Sequence, residues 1–181
     1  MSITLILGGA RSGKSRFAQE LAAKSGKKVL FVATGEARDE EMRARIEVHK
    51  KSRPANWRTL EAPTDVARAL KKGQDDAQVV IIDCLTLLVS NLMGEGEPDA
   101  VALEQRVNNE IESLVKFMRK NKTLYIVVSN ELGLGVVPVY ATGRVYRDAL
   151  GVANQMLAKY ADRVYFMIAG IAMPIKGGKT K

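Results

Sequence analysis

The chain has 181 residues, a net charge of +8 and one cysteine, Cys84. This length suits a single α/β domain, and a lone cysteine excludes an internal disulfide and favours a reducing, cytoplasmic compartment. The basic composition favours anionic ligands, but aromatic residues make up only 6% of the chain, too few for a nucleic-acid stacking platform. We expect no signal peptide, because no basic n-region precedes the short first apolar run and "GGARSGK" directly follows it. We expect no membrane insertion, because no apolar run approaches the roughly 20 residues that span a bilayer.

The N-terminal segment matches the phosphate-binding motif G-x-x-x-x-G-K-[ST] between a strand-like run, "ITLIL", and a helix-forming run, "RFAQELAAK". The motif comprises Gly8, Gly9, Ala10, Arg11, Ser12, Gly13, Lys14 and Ser15, called the P-loop below. Its glycines allow the backbone to curl, so that N–H groups and the positive helix end face phosphate oxygens. Lys14 would reach the β- and γ-phosphates and Ser15 would hold Mg²⁺. The alternative is a glycine-rich turn with an incidental lysine.

The rest of the chain alternates strand-like and helix-like segments. They are a strand "KVLFVATG", a helix "ARDEEMRARIEVHKKS" that Pro54 ends, a strand "WRTLEAP", a helix "TDVARALKK" with a Thr/Asp cap, and a strand "AQVVIIDC". They continue with a helix around "VALEQRVNNEIESLVKFMRK", a strand "TLYIVVSNE", a helix "GRVYRDALGVANQMLAKYAD" and one or two strands in "RVYFMIAGIAMPIK".

This alternation predicts an α/β fold with a mainly parallel sheet and helices on both of its faces. We expect one P-loop NTPase domain of the RecA-like type over residues 1–175, followed by a basic tail over residues 176–181. Residues 93–99, "MGEGEPD", are the best candidate for a mobile loop, because they combine glycine, proline and carboxylates without apolar anchors.

Ligands of such sheets bind beyond the carboxyl ends of the strands. Asp83 follows the apolar run "VVII", as a Walker B aspartate does, and would hold Mg²⁺ through Ser15 or water. The alternative is a helix cap for "CLTLLVSNL". Cys84 is expected to be a small buried residue rather than a nucleophile.

The segment "SNELGLGVVP" follows another strand and predicts a shaped loop over the site, with Asn130 and Glu131 as its polar members. A tight connection with a capping asparagine is the alternative. Arg144 and Arg147 share one face of the next helix, where they would either clamp phosphate or form a solvated surface.

The only histidine, His49, lies beside the apolar stripe of the helix that precedes Pro54. The cationic residues around it are Arg45, Lys50, Lys51 and Arg53. Nearby positive charge keeps an imidazole neutral, with a ring nitrogen free to attack, and the same cations would hold a triphosphate. This pattern suits a nucleophile that forms a phosphoramidate with a nucleotidyl group. A buried core histidine is the alternative.

The sequence resembles the adenosylcobinamide kinase/adenosylcobinamide-phosphate guanylyltransferase family almost end to end. The matching segments, in order, are "LILGGARSGKS", "VATGEARDEEMRARIEVHKKSRPANWRTLEAP", "DCLTLLVSNL", "VSNELGLGVVP", "RDALGVANQMLAKYADRVY" and "AGIAMPIK". The spacing of His, Arg-Pro, Trp and Thr-x-Glu from 49 to 61 separates this family from ordinary P-loop kinases. Ala172 and Tyr146 depart from its usual proline and phenylalanine.

The resemblance implies a homotrimer that phosphorylates the aminopropanol hydroxyl of the corrinoid adenosylcobinamide with ATP or GTP. It further implies transfer of GMP from GTP through a guanylylated histidine, here His49, to give adenosylcobinamide-GDP. The implied nucleotide-contacting positions are the P-loop, Ala33, Thr34, Gly35, Lys50, Lys51, Ser52, Arg53, Glu61 and Asp83. The Glu61 carboxylate would accept from N1–H and the 2-amino group of guanine, or else is an exposed charge at a strand end.

The residues alone, without the family resemblance, are also compatible with two other classes of protein. One is a P-loop kinase for another small alcohol, which would leave His49 idle. The other is a nucleotide-gated binding protein or regulatory ATPase.

Overall fold

A computed structural model of the chain describes residues 2–37, 39–51, 53–97 and 99–177, without the side chains of Glu41, Arg45, His49 and Lys51. Its elements begin with β1 (Ser2–Gly8), α1 (Lys14–Lys24), β2 (Val29–Ala33), α2 (Glu40–Lys51), β3 (Arg58–Glu61), α3 (Val66–Gly73) and β4 (Val79–Asp83). They continue with α4 (Leu85–Met93), α5 (Ala100–Met118), β5 (Leu124–Val128), α6 (Ala141–Tyr160), β6 (Arg163–Ile168) and β7 (Ile171–Lys176).

The strands form one seven-stranded sheet in the order β3-β2-β4-β5-β1-β6-β7. Strands β1 to β6 run parallel and β7 pairs antiparallel with β6. The predicted mainly parallel α/β sheet is therefore confirmed. Strands that are apolar on both faces, as "ITLIL" is, belong in the middle of such a sheet, and β1 lies between β5 and β6.

Helices cover both faces of the sheet, as predicted. The larger apolar core joins β1 residues Ile3, Leu5 and Leu7 to helices α3, α4, α5 and α6. The smaller core joins Ile6 and Phe31 to α1 on the other face. The helices on each face thus exclude water from the apolar side chains of the central strands. This burial of apolar surface is the main stabilising contribution in a fold of this size.

The predicted Thr/Asp side-chain cap of α3 is wrong. Asp65 holds the N-cap position with φ 50°, but its side chain makes no capping hydrogen bond. The Glu110 carboxylate of α5 accepts instead from the backbone N–H of Asp65 (3.1 Å) and of Val66 (2.9 Å). Burial raises the pKa of Glu110, and its two hydrogen bonds partly oppose that rise. A carboxyl group from another helix therefore supplies the hydrogen-bond acceptors at the start of α3.

The last strand runs to Lys176, whose ammonium donates to the carbonyl oxygens of Ala158 (2.8 Å) and Lys159 (3.1 Å) in α6. This contact places a cation at the negative end of that helix. Residues 178–181 of the expected basic tail lie outside the described residues. Residues 94–97 and 99, from the expected mobile loop, connect α4 to α5, and the Asp99 side chain caps α5.

Candidate functional site

The P-loop curls tightly between β1 and α1. Gly8, Arg11 and Gly13 have φ values of 149°, 56° and 94°, which turn the chain back on itself before the helix begins. The N–H of Phe17 donates to the Gly13 carbonyl at 2.9 Å, so α1 starts directly at the end of the loop. Because the first N–H groups of a helix have no acceptor within that helix, these groups and the positive helix end are available to a ligand in the space that the loop encloses.

Two neighbouring segments hold the P-loop in place. The N–H of Gly170, in the turn between β6 and β7, donates to the Ser12 carbonyl at 3.1 Å, and the N–H of Glu131 donates to the Gly8 carbonyl at 3.1 Å. A Cβ atom at Gly8 would lie 2.6 Å from the Met167 carbonyl oxygen. Only glycine fits here, because that separation is shorter than any normal contact of a Cβ atom.

The Lys14 side chain is buried and folds back over the loop. Its ammonium donates to the Gly9 carbonyl at 2.5 Å. Burial lowers the pKa of Lys14, while the nearby Cys84 and Asp83 oppose that shift. An ammonium has three N–H donors, and this one makes a single hydrogen bond within the described residues, so donors stay available for phosphate oxygens. Ser12 Oγ is also buried without a hydrogen-bond partner there.

The carboxyl edge of the sheet sets the distances between the predicted site residues. Glu61 is paired in register with Ala33, Ala33 with Asp83, and Asp83 with Val128 of β5. Parallel strands lie about 4.8 Å apart, so Glu61, four strands from β1, is roughly 19 Å from the P-loop strand. Asp83 lies midway, with one intervening strand on either side. The structure therefore places Glu61 and the P-loop at opposite ends of a row of strand ends, with Ala33 and Asp83 between them.

The ends of β2 and β4 are joined by Thr34. Its buried hydroxyl donates to the Cys84 carbonyl (2.6 Å) and accepts from the Cys84 N–H (2.8 Å). A Cβ atom at Gly35 would lie 3.1 Å from Leu87 and 3.5 Å from Ile46, so glycine lets α4 and α2 approach each other. The Thr34 hydroxyl and the lack of a side chain at Gly35 therefore both have a structural reason within the protein.

Cys84, not Asp83, holds the N-cap position of α4. The alternative reading of Asp83 as the cap of this helix is therefore wrong. Burial, and secondarily the charge of Asp83, raise the pKa of the Cys84 thiol to about 12. A thiol with so high a pKa is a poor nucleophile at neutral pH, as the sequence predicts, although Cys84 is half-buried and not fully buried.

A cleft of about 430 Å³ lies at the far end of the edge, beside β3. We call it the β3 cleft; its lining residues are Lys50, Arg53, Pro54, Ala55, Trp57, Thr59 and Glu61. Lys50 Nζ lies 3.3 Å from Glu61 Oε1. The Arg53 guanidinium lies 3.7 Å from the ring centroid of Phe31 and donates to Thr59 Oγ1 at 3.2 Å.

The Arg53 guanidinium is partly buried beside the Phe31 ring. Burial lowers the pKa of Arg53, and the charges of Asp83 and Glu61 oppose that shift. Its Nε is buried without a partner among the described residues. Cations, a carboxylate and an indole that line one cleft supply the groups that bind the phosphate, the base edge and the base face of a purine nucleotide.

The α2 helix carries His49, and its last turn lies next to this cleft, since Lys50 contacts Glu61. Ile46, three residues before His49, lies against Gly35 at the end of β2. The helix therefore runs over the carboxyl edge between β2 and β3. Ser52, which the sequence places in the nucleotide site, lies outside the described residues.

A family model described as cobinamide kinase / cobinamide phosphate guanyltransferase matches residues 4–175 of the chain. The chain belongs to this family. It is 45% identical over 173 residues to the bifunctional adenosylcobalamin biosynthesis protein CobP of Pseudomonas aeruginosa, a match that covers 96% of each chain. It is 39% identical over 179 residues to CobU, the protein of the same description in Escherichia coli, covering 95% of this chain and 98% of that one.

The fold of this cobinamide kinase family member also matches a solved structure. The RadB recombinase aligns with a TM-score of 0.51 at 16% identity, over 91% of this chain and 73% of that one. This likeness confirms the RecA-like P-loop NTPase fold; at 16% identity it carries no information about activity. Among the described residues, no helix is both long and apolar enough to cross a membrane. The same residues contain no group of three or more His, Cys, Asp or Glu placed to hold a metal ion.

The sequence assigns no place in the site to Trp57 or Tyr146. Trp57 belongs to the family spacing from 49 to 61, and in the structure it lines the β3 cleft. A tight turn over residues 54–57 precedes β3, closed by the Trp57 N–H, which donates to the Pro54 carbonyl at 3.0 Å. The Tyr146 hydroxyl donates to the Thr86 carbonyl at 2.9 Å, so the departure from phenylalanine adds a hydrogen bond.

The phosphate clamp by Arg144 and Arg147 finds no support. Arg144 donates to the carbonyl oxygens of Pro138 (3.0 Å) and Val139 (2.6 Å), which stabilises the segment before α6. Arg147 Nε lies 3.2 Å from the carboxylate of Asp148, the next residue. Both arginines therefore have partners within the protein.

Proposed function

We propose that this protein phosphorylates adenosylcobinamide with ATP or GTP and then transfers GMP from GTP to the product, through a guanylyl-His49 intermediate. The observation that carries the proposal is the match of nearly the whole chain to a bifunctional family. The two ends of the carboxyl edge supply separate places for the two kinds of chemistry.

The P-loop is the centre of the kinase step. Its backbone N–H groups and the start of α1 would bind the β- and γ-phosphates, and Lys14 would neutralise the charge that develops on the transferred group. The acceptor hydroxyl oxygen bonds to the γ-phosphorus while the bond to the β-phosphate oxygen breaks, and the nucleoside diphosphate leaves. The Lys14 position over Gly9 supports this role, because its ammonium is already directed into the loop.

The β3 cleft is the centre of guanylyl transfer. A ring nitrogen of His49 would attack the α-phosphorus of GTP and expel pyrophosphate; the phosphate of adenosylcobinamide phosphate would then displace the histidine. Lys50 and Arg53 would hold the phosphates, and Glu61 would accept from the guanine N1–H and 2-amino groups. Lys51 and Ser52 join this nucleotide-binding set from the family resemblance alone.

Ala33, Thr34 and Gly35 lie between the two centres at the end of β2, where a nucleotide that extends along the edge would contact their backbone.

The oxygen atoms of Ser15 and Asp83 also fit Mg²⁺. This ion prefers hard oxygen ligands and often takes only one or two from the protein, beside phosphate oxygens and water. Ser15 and Asp83 would hold the ion, and when bound it would offset negative charge on the phosphates.

We further propose a homotrimer in the cytoplasm. Several apolar side chains are exposed on the segment before α6, where Leu134, Val136 and Val139 are 80%, 93% and 86% exposed. The edge strand β7 adds Ile171 at 67% and Ile175 at 59% exposure. Exposed apolar surface of this extent is typical of protein–protein contacts, and an open edge strand is usually covered.

A coupled assay tests the function. The protein is incubated with Mg²⁺, adenosylcobinamide and either γ-labelled ATP or α-labelled GTP, and the corrinoid is separated from nucleotide. We expect γ-label in the corrinoid from the first reaction and, when unlabelled ATP is also present, α-label from the second. Transfer of γ-label alone would leave a plain kinase, and transfer of neither label would exclude both activities.

A further inference from the structure

A second cleft, of about 490 Å³, lies between α6 and the segment that follows β5. We call it the α6 groove. Leu7, Glu131 and Leu132 line it from the sheet side, and Arg147, Gly151 and Gln155 line it from the helix. None of the steps proposed above uses it, although its volume falls in the range of small-molecule binding sites.

The α6 groove adjoins the P-loop at one end. Leu7 directly precedes Gly8, and the Glu131 N–H donates to the Gly8 carbonyl at 3.1 Å. The β3 cleft lies three strands from β5 and four from β1. A molecule in the groove would therefore reach the P-loop without entering the β3 cleft.

The wall of the groove is fixed by a buried polar network. Ser129 Oγ donates to Asn154 Oδ1 at 2.6 Å, and Asn154 Nδ2 donates to the Asn130 carbonyl at 3.0 Å. The Asn130 N–H donates in turn to Thr86 Oγ1 at 2.9 Å. This network ties the residues before Glu131 to both α6 and α4. A binding wall of this kind needs little reorganisation when a ligand arrives.

The lining combines apolar and hydrogen-bonding groups. Leu7, Leu132 and Val152 supply apolar surface, whereas Gln155 and the Arg147–Asp148 pair supply donors and acceptors. Glu131 places a carboxylate at the end nearest the P-loop, where its Oε1 accepts from the Gly133 N–H at 2.8 Å. This mixture suits an alcohol on a short aliphatic arm that is flanked by carboxamide groups.

We propose that the α6 groove binds the acceptor of the kinase step, holding the aminopropanol arm and neighbouring carboxamide arms of adenosylcobinamide while the macrocycle lies across its mouth. The assignment rests on the proposed function. Glu131 accepts a hydrogen bond from the arm's hydroxyl group. As the oxygen bonds to the γ-phosphorus and the nucleoside diphosphate leaves, the hydroxyl proton passes to the Glu131 carboxylate.

The test fills the groove without disturbing the fold. Gly151 lines the groove, and a Cβ atom there would meet nothing within 4 Å, so Gly151→Phe adds an aromatic ring to the α6 wall without a clash at its first atom. Gly151→Ala is the matched small substitution. Gln105→Phe, on the exposed side of α5, controls for an added aromatic ring on a helix.

We expect Gly151→Phe to raise the KM for adenosylcobinamide at least tenfold and to weaken its binding in equilibrium dialysis to the same extent. The KM for ATP and the labelling of the protein by α-labelled GTP should stay within twofold of wild type, as should every value for Gln105→Phe. Gly151→Ala should raise the KM for adenosylcobinamide less than Gly151→Phe does. Glu131→Gln keeps the acceptor for the Gly133 N–H and should lower the phosphorylation kcat by about 10²-fold or more, with the KM for the corrinoid unchanged.

An unchanged corrinoid KM and dissociation constant in Gly151→Phe would overturn the assignment of the groove while leaving the proposed function intact. Wild-type kcat in Glu131→Gln would overturn the role of that carboxylate. If the wild type neither phosphorylates nor binds adenosylcobinamide, the proposed function fails, and the groove assignment fails with it.

Discussion

Substitution of Gly8 by alanine tests whether the P-loop is held as tightly as the structure indicates. The new Cβ atom would lie 2.6 Å from the Met167 carbonyl oxygen and 2.8 Å from Ser12 Oγ, at a φ of 149° that L side chains rarely adopt. The backbone conformation costs roughly 1–3 kcal/mol and the overlap with β6 roughly 1–3 kcal/mol more. For a chain of this length, the sum lowers Tm by about 5–20 °C.

Differential scanning calorimetry of Gly8→Ala measures this loss, and Gly9→Ala is its matched control. A Cβ atom at Gly9 would meet nothing within 4 Å, so that variant should unfold within about 2 °C of wild type, since surface changes usually cost under about 0.5 kcal/mol. A Tm for Gly8→Ala equal to that of Gly9→Ala would refute the argument that contact with β6 requires glycine at position 8.

Three further substitutions or measurements address other parts of the molecule. Lys14→Ala should lower the phosphorylation kcat by about 10²-fold or more, because it removes a cation from the developing phosphoryl charge; near wild-type turnover would exclude the kinase site. Burial raises the pKa of Glu110 in the folded state above its ordinary value of 4.5, so ionisation of Glu110 disfavours the folded state. The unfolding free energy of wild type relative to Glu110→Gln should therefore fall as pH rises from 4.5 through the folded-state pKa. A rise would contradict the burial of this carboxyl. Light scattering should give the mass of a trimer, and a persistent monomer would remove that proposal.

Local patterns in the sequence sufficed to predict the P-loop and the alternation of strands and helices. The glycine positions, the strand before them and the helix after them all lie within 24 residues, so short-range geometry determines them. The apolar runs of β1 and β4 likewise indicate strands that are buried on both faces, whatever their neighbours.

Contacts between distant residues could not be predicted in this way. Glu110 caps α3 from 44 residues away, which displaced the expected local cap at Asp65. The α6 groove arises because the Glu131 N–H donates to Gly8 of the neighbouring strand β1 and Asn154 of α6 donates to the Asn130 carbonyl after β5. Neither pairing leaves a periodic signal in the sequence, and both depend on the strand order.

The central claim, a covalent guanylyl-histidine on a P-loop kinase, is tested by incubating the protein with α-labelled GTP and Mg²⁺. Wild type should retain label that acid removes and alkali leaves, as a phosphoramidate would, and His49→Ala should retain none while still phosphorylating adenosylcobinamide. Equal labelling of His49→Ala and wild type would place the nucleophile elsewhere, and the absence of label from both would contradict the account.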